Sequence, residues 1–169
     1  MRGVQPGRLS RWMYRNGGPN WLARPMNRVA AWQFRHGILT FGGRGVALEV
    51  RGRTSGRTVQ LPLVLVHHGG ERFLVSMLGE DVQWVRNVRA DGGRAVLLSP
   101  RPEPVLLVDV PAALRAPVLR RYVEIAPGGR RHIPVPVGAS LEEFAAVAPR
   151  YPVLRVERAS PAREQDGPR

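Results

Sequence analysis

Apolar positions recur along this chain with two different spacings. Val46, Ala47, Leu48 and Val50 form one short run, and Leu61, Leu63, Val64, Leu65 and Val66 form a second. Phe73 to Met77 makes a third beyond Gly69-Gly70, which predicts three strands joined by a loop and a tight turn. From Glu80 to Arg89 the spacing turns helical, with Val82, Val85 and Val88 near one face. Asp81 falls in the first turn and Gly92-Gly93 stops the helix. Strands over Arg94 to Leu98 and Pro104 to Val110 come next. The second of these is continuously apolar, as expected of a strand buried on both faces or one that closes a barrel. A helix from Ala112 to Ile125 carries Leu114, Val118, Leu119 and Val123. Pro134 and Pro136 keep the following stretch extended. Ser140-Leu141-Glu142-Glu143 reads as an N-cap with acidic residues in the first turn, opening a helix that ends near Pro149. Tyr151 to Val156 supplies a last strand.

Upstream, Leu22, Met26, Val29, Ala30 and Phe34 recur at three- and four-residue steps. They predict an amphipathic helix from Trp21 to His36, capped by Asn20 and stopped by Gly37. The expected organisation is a flexible basic segment over 1–20, one domain over 21–158, and a frayed tail over 159–169. Six short strands with helices at the start, middle and near the end predict a small antiparallel barrel with flanking helices, of the mainly-β or α+β class.

Composition narrows the chemistry. The chain has 169 residues, enough for one core, and no cysteine. Disulfides, thiolate catalysis and cysteine-bound metals are therefore excluded, and a cytoplasmic location is expected. His67 and His68 are adjacent on a strand and point to opposite faces, so they cannot share a metal. They read as solvated turn residues, and no metal site is expected. The formal net charge is +13 and every basic side chain is arginine. Such a field favours anionic partners: nucleic acid, acidic lipid headgroups or a polyanionic cofactor. Single-strand binding uses aromatics on a basic sheet face. Here they gather in the N-terminal segment, which argues against nucleic acid. Trp12, Trp21 and Trp32 interleave there with arginines, a pattern that can also lie at a membrane surface.

The loop Arg51-Gly52-Arg53-Thr54-Ser55-Gly56-Arg57 packs two glycines, two hydroxyl residues and three arginines into seven positions between strands. Glycine allows positive φ and close backbone approach, and exposed N–H groups beside guanidinium groups make an anion cradle. A basic, solvated hairpin turn is the alternative reading.

This loop, then Leu61-Pro62-Leu63, Phe73-Leu74-Val75-Ser76 and Trp84-Val85-Arg86-Asn87-Val88-Arg89-Ala90, in that order, resembles the deazaflavin-dependent nitroreductase family. These are split β-barrel proteins of the FMN-binding superfamily, found in actinobacteria, and the resemblance spans roughly Ala31 to Val156. It implies a six-stranded antiparallel split barrel and coenzyme F420 (8-hydroxy-5-deazaflavin), with FMN ranked behind it. Arg53, Thr54, Ser55, Gly56 and Arg57 would then hold the phosphate. Leu61, Pro62 and Leu63 would form an apolar wall, and Ser76, Met77, Leu78 and Gly79 would line the ring. Trp84 and Asn87 would flank the ribityl and phosphate region, with Arg86 or Arg89 as further anion contacts. The reaction implied is hydride transfer to a small electron-poor acceptor: a quinone, nitro compound or activated alkene. Ser76, Tyr122, His132 or solvent would supply the proton.

Two positions depart from the family pattern. Val59 and Met77 stand where relatives often carry basic residues, so Arg44, Arg51 or Arg86 would have to replace those contacts. An anionic-ligand carrier without turnover, or an FMN- or haem-binding split barrel, are the alternatives. The resemblance is compatible with a homodimer.

Overall fold

The computed structural model describes residues 44–98 and 101–159. The basic N-terminal segment, the helix expected from Trp21 to His36 and the tail beyond Ala159 lie outside the described residues. Six strands appear: β1 (Gly45–Arg51), β2 (Thr58–His68), β3 (Glu71–Val75), β4 (Arg94–Leu98), β5 (Pro102–Asp109) and β6 (Val153–Arg158). They close into an all-antiparallel barrel in the order β1-β2-β3-β6-β5-β4. Among the described residues three α-helices accompany them: α1 (Gln83–Ala90), α2 (Ala116–Ile125) and α3 (Leu141–Val147).

Alternation along the strands builds two cores. Val46, Leu48, Val50, Leu65, Leu74, Leu97, Leu107 and Leu154 turn into the barrel, where Trp84, Val85 and Val88 of α1 join them. Val66, Phe73, Val75 and Val153 face outward and are covered by Leu119, Tyr122 and Val123 of α2 and Phe144 of α3. One sheet thus serves two apolar layers, which is why its strands read as nearly continuous apolar runs. On β5 the inward Val105 and Leu107 are buried, whereas Leu106 and Val108 are half-buried.

The ends of the elements differ from expectation for local reasons. β3 stops at Val75: in register with β6, the Ser76 N–H still donates to Pro152 O at 2.9 Å, but proline has no N–H to return the bond. α1 begins at Gln83, not Glu80, so Asp81 precedes the helix and pairs with Arg86 at 2.6 Å. The helix expected over Ala112–Ile125 divides into a 3-10 turn, Ala112–Leu114, and α2. Pro117 lies in the first turn of α2, where its missing N–H costs nothing. The loop after α2 holds a further 3-10 turn, Arg130–His132. β6 begins two residues later than predicted and runs on to Arg158.

At α3 the predicted cap is present in full. Ser140 Oγ accepts from the Glu143 N–H at 3.3 Å, and the Glu143 carboxylate accepts from the Ser140 N–H at 2.9 Å. Ser140→Ala is expected to destabilise the fold by about 1 kcal/mol, read as a lower urea midpoint at unchanged slope.

Candidate cofactor cleft

β2 creates the opening. Its first half, Thr58–Val64, pairs with β1, and its second half, Leu65–His68, pairs with β3. Among the described residues no strand lies along the other edge of Thr58–Val64. The basic loop stands at the start of this free edge, and the turn Ser76–Gly79 stands near its end.

The loop is built by its backbone. Gly52 N–H donates to Arg57 O at 2.8 Å, and Gly56 N–H to Gly52 O at 2.7 Å. Gly56 sits at φ +64, and a Cβ on Gly52 would lie 2.8 Å from Ser55 Oγ and 3.1 Å from Arg57 O. Glycine therefore suits both positions, Gly56 for its dihedral and Gly52 for the close approach of Arg57 O. The Thr54, Ser55 and Arg57 side chains are exposed. A Cβ on Gly56 would come 3.9 Å from Arg51 Nη2, so that guanidinium also lies over the loop. Exposed hydroxyl and guanidinium groups on a fixed turn suit a phosphate.

Asn87 sits against the basic loop. It is buried, and its Oδ1 accepts from Arg53 N–H at 3.2 Å and from Arg53 Nη1 at 3.1 Å. Gln83 Oε1 accepts from the same Nη1 at 2.6 Å. Asn87 thus joins α1 to the basic loop. Gln83 was missed by sequence reasoning, although its i,i+4 spacing from Asn87 puts both on one helix face.

The apolar wall is also rearranged. Leu61, Leu63 and Leu78 are half-buried against the barrel core, whereas Pro62 faces the opposite side of β2 and pairs with Ala47. Met77 turns the other way from Leu78, into the outer core beneath α2. Trp84 is 9% exposed and belongs to the barrel interior. Arg89 was a candidate anion contact, but its guanidinium is spent on Asp109 at 2.8 and 2.9 Å, which raises its pKa.

The three proton-donor candidates lie in unlike settings. Ser76 is buried, and its hydroxyl donates to Gly79 O at 2.6 Å, with Gly79 at φ +95. Tyr122 is buried; its hydroxyl reaches Met77 Sδ at 3.4 Å, and desolvation pushes its pKa above the usual phenol range. His132 is half-buried in the loop after α2, and its carbonyl accepts from Tyr151 Oη at 2.8 Å. Met77 thus joins the Ser76–Gly79 turn to Tyr122 in the outer core. A separate groove of about 260 Å³ lies beyond the other end of β2, lined by His68, Phe73, Leu114 and Arg155, and contains none of the predicted site residues.

A closed barrel whose second strand is paired on opposite sides in its two halves, with a basic turn at the resulting opening, defines a split β-barrel. The chain belongs to the F420H(2)-dependent quinone reductase family, whose model matches residues 27–139. That family is one of oxidoreductases, and its name implies coenzyme F420 as cofactor. Among solved structures, one described as a domain-swapped dimer is 17% identical, with 82% of this chain and 98% of that chain covered and a TM-score of 0.51. The protein Atu2129 (unknown function) from Agrobacterium tumefaciens str. C58 is 14% identical, with 79% and 55% covered and a TM-score of 0.54. An F420-H2 dependent reductase (FDR-A) is 21% identical, with 68% and 95% covered and a TM-score of 0.46. At such identities the first two likenesses speak to the fold alone, and nothing is drawn from the third. No curated protein matches. Among the described residues no helix is long and apolar enough to cross a membrane.

Proposed function

We propose that this protein is an F420H2-dependent oxidoreductase that reduces a quinone or another electron-poor acceptor. The observation that carries the reading is the convergence on β2's free edge of a rigid, arginine-rich turn and the Ser76–Gly79 turn. Arg53 to Arg57 would bind the coenzyme's phosphate through guanidinium groups, hydroxyls and main-chain N–H groups. Leu61, Leu63 and Leu78 would exclude water from one side of its ring, with Gly79 allowing close backbone approach. When bound, reduced F420 supplies a hydride, and the chain's contribution is to hold and orient.

Titration of the full chain with oxidised F420, followed by tryptophan fluorescence with FMN as control, tests this. Trp84 packs beneath the cleft, so micromolar binding with quenching is expected for F420 and none for FMN. Absence of F420 binding would overturn the assignment.

Tyr122 is the favoured proton source. Its O–H is held only by a thioether, a weak acceptor, whereas the Ser76 proton is directed to a carbonyl. Met77, on freely rotating bonds, is the phenol's contact with the ring-side turn. A raised pKa makes the phenol a reluctant acid, which sets the expected loss for Tyr122→Phe at about 100-fold in kcat, the low end for general-acid catalysis. An unchanged kcat would transfer the role to His132 or solvent.

A further inference from the structure

We infer that Arg115 is a positioning residue that fixes the ring-side turn Ser76–Gly79 from the far side of the sheet, an assignment that rests on the cleft reading above for its functional meaning. Arg115 lies between the Ala112–Leu114 turn and α2 and is 7% exposed. Its partners are main-chain carbonyls: Nε donates to Val110 O at 2.7 Å, and Nη1 donates to Ala148 O at 3.2 Å and Tyr151 O at 3.4 Å. Burial lowers its pKa, but a guanidinium remains charged at any pH the protein meets. Ala148 and Tyr151 bracket one tight turn, so a single guanidinium ties both of its ends.

That tied segment is what the ring-side turn rests on. Pro152 O accepts the Ser76 N–H at 2.9 Å, the last bond that β6's side of the sheet makes to this turn. Arg150 O lies 3.5 Å from where a Cβ on Gly79 would be. Inside the turn, Gly79 N–H donates to Ser76 O at 3.3 Å and Ser76 Oγ donates to Gly79 O at 2.6 Å. The route from Arg115 to Met77 and Leu78 is therefore continuous: guanidinium, Ala148–Pro152, Ser76–Gly79. The planar fork of arginine reaches these carbonyls from two separate nitrogens, a spread that lysine's single ammonium lacks.

The test uses Arg115→Met and Arg115→Lys in the full chain, with Val123→Ala as a comparison that weakens α2 packing without touching this route. Hydrogen exchange of the Ser76 and Gly79 amides is measured beside F420 affinity. In Arg115→Met both amides should exchange at least tenfold faster than in Val123→Ala, and F420 should bind about tenfold more weakly. Arg115→Lys, which keeps the charge and one bond, should fall between wild type and Arg115→Met, and it carries the test alone if the methionine variant does not fold. Exchange no faster than in Val123→Ala would overturn the role of Arg115 whatever the ligand does. Faster exchange with unaltered F420 affinity supports Arg115 as the support of the turn and instead overturns the turn as a wall of the cofactor cleft.

Discussion

Asn87→Ala is expected to weaken F420 binding ten- to a hundredfold while leaving the barrel folded. The side chain is 6% exposed, and its one carbonyl oxygen accepts both the Arg53 main-chain N–H and the Arg53 guanidinium. Alanine leaves the N–H without its acceptor and removes a bond to a charged donor, about 1–3 kcal/mol together. Gln83 Oε1 still holds Nη1, so the arginine is not released outright. What disappears is the fixed relation between α1 and the turn 53–57, and ordering that turn is then charged to binding. Each 1.4 kcal/mol is tenfold in affinity. Asn87→Asp separates order from charge: it keeps an acceptor for Arg53, so stability holds, but it sets a carboxylate beside the phosphate site and should bind F420 at least as poorly. Calorimetry on the three proteins decides the matter. Wild-type affinity in both variants would remove the 53–57 turn from the site.

The strands were legible because alternation and apolar runs survive whichever side faces water. Arg94–Leu98 appears as read, and the interiors of β1 and β2 follow from Val46, Leu48, Leu61 and Leu63. What the pattern could not supply was the point at which a strand leaves its ladder. Phe73 to Met77 is apolar but for Ser76, yet β3 ends at Val75 because the residue opposite Ser76 on the partner strand, far away in sequence, is Pro152, which has no N–H to give. Tertiary partners decide such ends, and no local spacing records them. The same holds for Arg115, which looks in the sequence like one more surface arginine, and is instead a buried link between three carbonyls.

Sequence spacing placed the candidate residues on elements but left their directions open. Arg53, Ser76, Trp84 and Asn87 do fall on neighbouring elements around the cleft, but each side chain's direction was open. Asn87 supports the turn, Trp84 fills the barrel, and Met77 and Leu78 diverge into different cores. Residue identity constrains what a group can bond; burial and direction determine which bond it makes. That distinction also explains why Arg89, basic and well placed in sequence, has its charge committed to Asp109.

Gly129→Ala should be among the most damaging single changes outside the barrel, for a reason tied to Tyr122. Gly129 has an ordinary helical backbone, φ −79 and ψ −35, so the dihedral is not at issue. Space is: a Cβ there would fall on the Tyr122 ring, 2.5 Å from Cζ and 2.7 Å from Cε1, and would collide with the hydroxyl. The ring is 4% exposed, with Met77 beside its hydroxyl, and cannot swing into solvent without opening the outer core. Either the loop 127–132 or the phenol has to move, which for overpacking of this kind costs about 1–3 kcal/mol or more. The origin is testable by a double-mutant cycle. In a Tyr122→Leu background the shorter side chain vacates the colliding atoms, so Gly129→Ala should there cost less than about 0.5 kcal/mol, within the range of an ordinary surface change. Equal costs in both backgrounds would mean that the loop, and not the phenol, sets the requirement for glycine. If the collision is the cause, Gly129→Ala should also displace Tyr122 from Met77, and kcat with a quinone should fall along with stability.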